Sequence, residues 1–179
     1  MASNRAEATT DKAQANAIQR NLITVAAGQM PVAVIGNSVV ALFCVAILWS
    51  AVPPAGLLTW LAVMGVLNVA RLRICAQARR VAPSADAAWM TRHVRRFSVL
   101  AAMTGLLWGV LGSVQVPLAD DEMRAFATPI VVSMAAAAVT SHVALPAAGR
   151  VYVIAAVLPL SISYLLGPPT RPHIALGIL

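Results

Sequence analysis

Charge is what this sequence has least of. Residues 21–70 carry no charged side chain, and further uncharged runs cover residues 97–119, 125–149 and 151–170. Charged residues make up 11% and hydrophobic ones 60%, where a soluble domain carries about 25% charge. That excludes an ordinary water-soluble globule. With 2 cysteines, Cys44 and Cys75, both in or beside apolar helices, there is no disulfide framework and no zinc spacing. Both are expected to be small lipid-buried hydrophobes. Acids number 6, and no Asp, Glu, Lys or Arg falls within the apolar part of an expected span. Ion-coupled transporters and proton pumps hold such groups at membrane depth, so that class is disfavoured. The sequence has no HExxH, no CxxC and no plausible Ser/His/Asp triad, because the acids cluster at Asp120, Asp121 and Glu122, away from His93. No catalytic residue, cofactor site or metal site is assigned.

A hydrocarbon core about 30 Å thick needs roughly 20 apolar residues at about 1.5 Å rise each. The 50 uncharged residues 21–70 therefore hold two spans, turned at Pro53-Pro54. The whole chain reads as an all-α, polytopic transmembrane helical bundle. Spans are expected near residues 32–51, 56–76, 97–117, 125–142 and 150–166, with a truncated sixth over 172–179. Residues 1–30 form a cytoplasmic tail and an amphipathic helix on the inner leaflet, with Ile18, Leu22 and Val25 on its apolar face and a new helix begun at Pro31. With the N-terminus inside, eleven of the 13 basic residues fall on the cytoplasmic side and only Arg124 and Arg171 outside. The net charge of +7 is thereby read as topology, and nucleic acid is not an expected partner. Trp49, Trp60, Tyr152 and Tyr164 are expected as interface anchors, and Ser84 as a helix cap.

Span 3 holds the clearest packing pattern. Ala101, Gly105, Gly109 and Ser113 recur every four residues, with a GxxxG at Gly105–Gly109. Small residues in one stripe let a second backbone approach closely in lipid. Ser133, Ala137 and Ser141, in line with Ala125 and Pro129, form an answering stripe on span 4. Spans 3 and 4 are expected to be the tightest pair, and the same motif offers a homodimer interface. Pro159 should kink span 5 and act as a hinge. Asn37 and Ser38 within span 1 are read as interhelical hydrogen bonds, with ligand contact as the alternative. His142, at the inner end of span 4, is the one ionisable side chain well inside an uncharged run. It is read as an interfacial histidine or polar contact, with a metal or haem site shared with His93 as the alternative.

With the spans in place, residues 46–54 (AILWSAVPP), Trp60-Leu61-Ala62, Ala70-Arg71-Leu72-Arg73, residues 104–109 (TGLLWG), the acidic turn with Arg124-Ala125-Phe126, and Val157-Leu158-Pro159-Leu160 stand in a recognisable order. Most of residues 15–179 resembles the N-terminal multi-span sensor region of bacterial signalling proteins, namely hybrid sensor histidine kinases and membrane-bound diguanylate cyclases or phosphodiesterases. The resemblance implies a sensing, anchoring and dimerising domain of the bacterial inner membrane, with a sixth helix leading to a cytoplasmic output domain. No kinase histidine box, GGDEF or EAL sequence is present, so the resemblance implies no enzyme activity for this chain. The alternatives are a non-sensing scaffold subunit of a larger membrane complex, or a small-molecule channel or facilitator.

Overall fold

The apolar runs become five helices in the computed structural model, which describes the backbone of residues 2–118 and 121–166 and the side chains of residues 10–114 and 128–166. They are α1 (Ala2–Leu48), α2 (Pro54–Val81), α3 (Ala87–Leu118), α4 (Asp121–Ser141) and α5 (Pro146–Leu166), with a single 3-10 turn at Ala82–Ser84. Four helices, in α1, α2, α3 and α5, are long and apolar enough to cross a membrane; the described apolar part of α4, Thr128–Ser141, is shorter. The expected sixth span and the side chains of the acidic turn lie outside the described residues.

Helices consecutive in the chain alternate in direction. Asn37 of α1 meets Asn68 of α2 while Ala27 meets Arg79, so that pair is antiparallel. Thr128 meets Tyr164 while Ala138 lies near Gly149, so α4 and α5 are antiparallel too. Arg20 and Arg79, together with Arg92, Arg96 and Arg150 near the starts of α3 and α5, then lie toward one end of the bundle. The outward faces are apolar: Val32, Ile35 and Val39 on α1, Val66 on α2 and Ile154 on α5 are all more than half exposed. Such surfaces are stable against acyl chains and costly against water.

The helix over residues 9–30 is not a separate interfacial element. It continues through Pro31 into the span as one helix of 47 residues. Proline removes the amide that would bond the carbonyl four residues earlier, here Ala27. Arg79 of α2 takes that place, donating from Nε and Nη2 to the Ala27 carbonyl at 3.2 and 2.9 Å and from Nη2 to that of Gly28 at 3.2 Å. Arg20 similarly donates twice to the Ala85 carbonyl beyond α2, at 3.1 and 2.9 Å. The buried stripe here is Ile23, Ala26, Ala27 and Met30, while Ile18, Leu22 and Val25 are exposed. Helix α2 begins on Pro54 at its first turn, where a missing amide costs nothing. Helix α3 is capped by Asp86, whose Oδ1 accepts from the Trp89 amide at 2.7 Å; Ser84 instead donates to the Val81 carbonyl.

The expected pairing of spans 3 and 4 is overturned. The longest seam joins α3 to α5, and these two run parallel: Gly105 faces Tyr152, Gly109 faces Ala155, Ala156 and Pro159, and Gly112 faces Leu160. The small stripe is thus used inside one chain. Pro159 leaves the Ala155 carbonyl without its helical donor, and Gly109 is where the facing backbone can come close enough to cover it. On α4 the buried stripe is Thr128, Val131, Ala135, Ala138 and His142. Ser133 and Ala137 face outward and Ser141 is half-buried. The expected stripe lies on the wrong side of α4.

Candidate functional site

Helix α2 buries Leu57, Trp60, Met64, Leu67, Asn68, Arg71, Cys75 and Ala78, a three-and-four spacing that forms one inward stripe. Two layers of polar chemistry lie on it. The upper layer is a hydrogen-bonded chain across α1, α2 and α3. Trp108 Nε1 donates to Asn37 Oδ1 at 2.8 Å, and Asn37 Nδ2 donates to Asn68 Oδ1 at 3.2 Å and approaches Met64 Sδ at 3.3 Å. Asn68 Nδ2 donates to Ser38 Oγ at 3.1 Å, and Ser38 donates to the Val34 carbonyl at 2.9 Å. Asn37 and Ser38 are therefore interhelical hydrogen-bonding groups, fully engaged. Trp60 is buried against Trp108 edge-to-face, with ring centroids 5.3 Å apart, and donates to the Leu107 carbonyl. It is an interior residue and not an interface anchor. Tyr152 and Tyr164 are likewise buried; Trp49 alone of the four is exposed.

One turn below, Arg71 points inward. Only 3% of it is exposed, which contradicts the expectation that arginines sit only at span ends. Its Nη2 donates to His142 Nε2 at 3.2 Å, and its Nε has no partner. A guanidinium has no lone pair to offer, so Nε2 of His142 must be the acceptor. The proton then sits on Nδ1, which donates to the Ala138 carbonyl at 2.8 Å, with Ser141 Oγ 3.0 Å away. His142 is neutral in this arrangement. Phe97 and Tyr152 flank its ring, with centroids at 5.6 and 5.9 Å.

Arg71 stays charged in any protein environment, yet no carboxylate faces it among the described residues. Asp86 caps α3, and Asp11 lies roughly 40 Å down α1 from Gly36 at helical rise. Removing an ion from water costs several kcal/mol even after relaxation, and one neutral imidazole offsets little of that.

The layer opens into a cleft of about 250 Å³ between α1 and α4, lined by Ala33, Gly36, Val40, Met134 and Ala137 with Arg71, His142, Ser141, Asn37 and Tyr152. A second, larger groove of about 490 Å³ lies between α4 and α5 beside His142 and Arg150. The structure does not bring His93 and His142 together. His93 is stacked on Trp89 at 4.8 Å, and the accessible nitrogen of His142 already faces a cation, which leaves no seat for a metal. Among the described residues no group of three or more His, Cys, Asp or Glu is placed to hold one. Cys44 and Cys75 are buried thiols.

Sequence reasoning singled out Asn37, Ser38 and His142 but missed Arg71, Asn68 and Trp108 as their partners. The signal for Arg71 was its register on the α2 stripe, since hydropathy alone records depth along a helix and not the face. Set against known proteins, the chain matches no protein-family model, no curated protein and no solved structure.

Proposed function

We propose that this chain is the membrane-embedded input and anchoring domain of a bacterial signal-transduction protein. In this reading the bundle has five spans in the inner membrane, with the arginine-rich end and the N-terminus cytoplasmic. A sixth helix passes the signal to a cytoplasmic histidine kinase or cyclic-di-GMP enzyme, and the chain works as a homodimer. The observation that carries it is Arg71, a permanent charge held inside the bundle with one neutral partner and an open cleft beside it. Ionisable groups are expensive at membrane depth and persist where they work.

The cleft lies between α1 and α4, and α4 is antiparallel to α5, which is locked along α3. An occupant that shifts α4 would load the α4–α5 hairpin and change how α5 sits on α3. Such a signal needs only a few kcal/mol of differential binding between two packings. Pro159 lies in that seam and is the proposed hinge. Because α5 already fills the glycine stripe of α3, dimerisation would use another face.

The test joins this bundle to its cytoplasmic output in cells and measures cyclic-di-GMP or histidine autophosphorylation. Arg71→Gln and Gly109→Leu should each change that output. An output indifferent to both, and to replacing the bundle with unrelated spans, would mean a scaffold.

A further inference from the structure

We propose that the Arg71 cleft binds the carboxylate of a single-chain anionic amphiphile, with the head on the guanidinium and the chain leaving between α1 and α4. This supplies the ligand class for the input domain proposed above and rests on the chain lying in a bilayer.

Three observations converge. The first is a charge without its counterpart: Arg71 is buried, its Nε–H has no acceptor, and its one hydrogen-bonded neighbour is a neutral ring. Burying a lone cation is costly, and an anion brought alongside removes that cost with charge-assisted hydrogen bonds of above-average strength. Cations are repelled by the same group, and a neutral ligand leaves the charge uncompensated.

The second is the cleft itself. Around Arg71, His142 and Ser141 its walls are Ala33, Gly36, Val40, Met134 and Ala137. Asn37 and Tyr152 also line it, so Arg71 stands among a few polar groups in a mostly apolar cleft, a mixture that suits a small anionic head followed by a chain. At about 250 Å³ it falls below the roughly 300–1,000 Å³ that encloses a drug-sized ligand. It fits a small head and the first carbons of a chain, with the remainder among the lipids. A two-chain phospholipid with its glycerol and phosphate is too bulky for it.

The third is the mouth. Gly36 and Ala137 are both exposed on the flank of the bundle, where acyl chains lie. A Cβ added at Gly36 would meet nothing within 4 Å, so the opening there is unobstructed. Arg71 stands ten residues above Val81 on α2, about 15 Å along the axis. That depth lies below the headgroup layer of the arginine-rich side, within reach of a carboxylate that enters sideways.

The experiment uses the full chain purified into nanodiscs of zwitterionic lipid, with oleate as the probe and binding followed by equilibrium titration. Oleyl alcohol supplies the chain without the charge, acetate and inorganic phosphate the charge without the chain, and phosphatidylglycerol a two-chain anion. Oleate should bind, and at least ten-fold more weakly to Arg71→Met and to Gly36→Leu. Gly65→Leu, at another exposed glycine with open space around it, should bind like the wild type and controls for added bulk. Thermal unfolding of each variant checks that it is folded.

Equal oleate affinity in Arg71→Met and the wild type would overturn the proposal, and so would oleyl alcohol binding as tightly as oleate. Acetate or phosphate binding with the same affinity would show a site for free anions instead, and a preference for phosphatidylglycerol would show a phospholipid site. Binding is read here without any output domain. Oleate binding that leaves the output unchanged in cells would sink the signalling reading alone, whereas an output that responds to Arg71→Gln without oleate binding would sink this one alone.

Discussion

The parallel seam between α3 and α5 makes a sharp prediction about single methyl groups. A Cβ built on Gly109 would stand 2.7 Å from the Ala155 carbonyl oxygen, 2.8 Å from that of Ala156 and 3.0 Å from Pro159 Cγ. Gly105 is tighter still, since its added carbon would overlap the Tyr152 carbonyl. Ordinary contact begins near 3.4 Å, so Gly109→Ala forces the two backbones apart by about 0.7 Å, enough to forfeit a quarter to a half of each contact well along the seam. The obstacles are carbonyls and a proline ring, which cannot swing aside as a flexible side chain would. Overpacking of this kind costs about 1–3 kcal/mol. Alanine recovers up to about 1 kcal/mol of helix propensity, which leaves a net loss of up to about 2 kcal/mol. Gly65→Ala is the internal control: nothing lies within 4 Å of its added carbon, so only the propensity gain remains. Equilibrium unfolding in mixed micelles should place Gly109→Ala below the wild type and Gly65→Ala level with it or above. Equal stability of the two variants would refute the α3–α5 seam. A Gly109→Leu chain that kept its unfolding midpoint but lost a dimer would return the glycine stripe to an intermolecular role.

Three further outcomes are expected. Without ligand, Arg71→Met should be neutral or stabilising by up to about 4 kcal/mol in thermal unfolding, because an isolated buried charge gives way to a thioether; a loss of stability would show that a counterion had been overlooked. Arg79→Met should cost about 1–3 kcal/mol, since it strips the donors from the Ala27 carbonyl. That cost should shrink in a Pro31→Ala background, where the helix supplies its own amide, and an unchanged cost would separate Arg79 from the proline. Asn37→Leu should cost about 1–3 kcal/mol by orphaning Trp108 Nε1 and the Asn68 carbonyl together, whereas Ser38→Ala should cost less than about 1 kcal/mol. Equal effects in the same unfolding assay would mean that Asn37 is not the hub.

The solvent of this protein was legible before its shape. Long uncharged runs announce spanning helices, and Pro53-Pro54 announces the turn that α2 then starts from. The small residues of α3 likewise announced a close approach. They could not say whose backbone approaches, since a stripe describes one surface and the partner is chosen by all five helices packing together. Adjacent segments are the natural guess, yet α5 had its backbone at Tyr152, Ala155 and Ala156 to offer the α3 glycines. On α4, four consecutive alanines allowed several small stripes, and Thr128, Val131, Ala135, Ala138 and His142 was the one that faced inward.

The candidate site divides in the same way. Asn37, Ser38 and His142 stood out because each is polar where its neighbours are not. Arg71 did not, because its place beside Arg73, Arg79 and Arg80 made it look like one more member of a cytoplasmic cluster. The faces differ: Arg71 follows Met64 and Asn68 on the buried stripe, and Arg73 turns outward.

Composition alone foretold helices long and apolar enough to cross a membrane, because a backbone in hydrocarbon must satisfy its own hydrogen bonds. Tertiary packing alone settled which residues share the interior. It seats a guanidinium on a neutral imidazole, covers the Ala27 carbonyl freed by Pro31 with an arginine from another helix, and closes α5 onto the glycines of α3. Each of these contacts joins residues dozens of positions apart, and the angle at which one helix presents its face to another is set by all the helices at once.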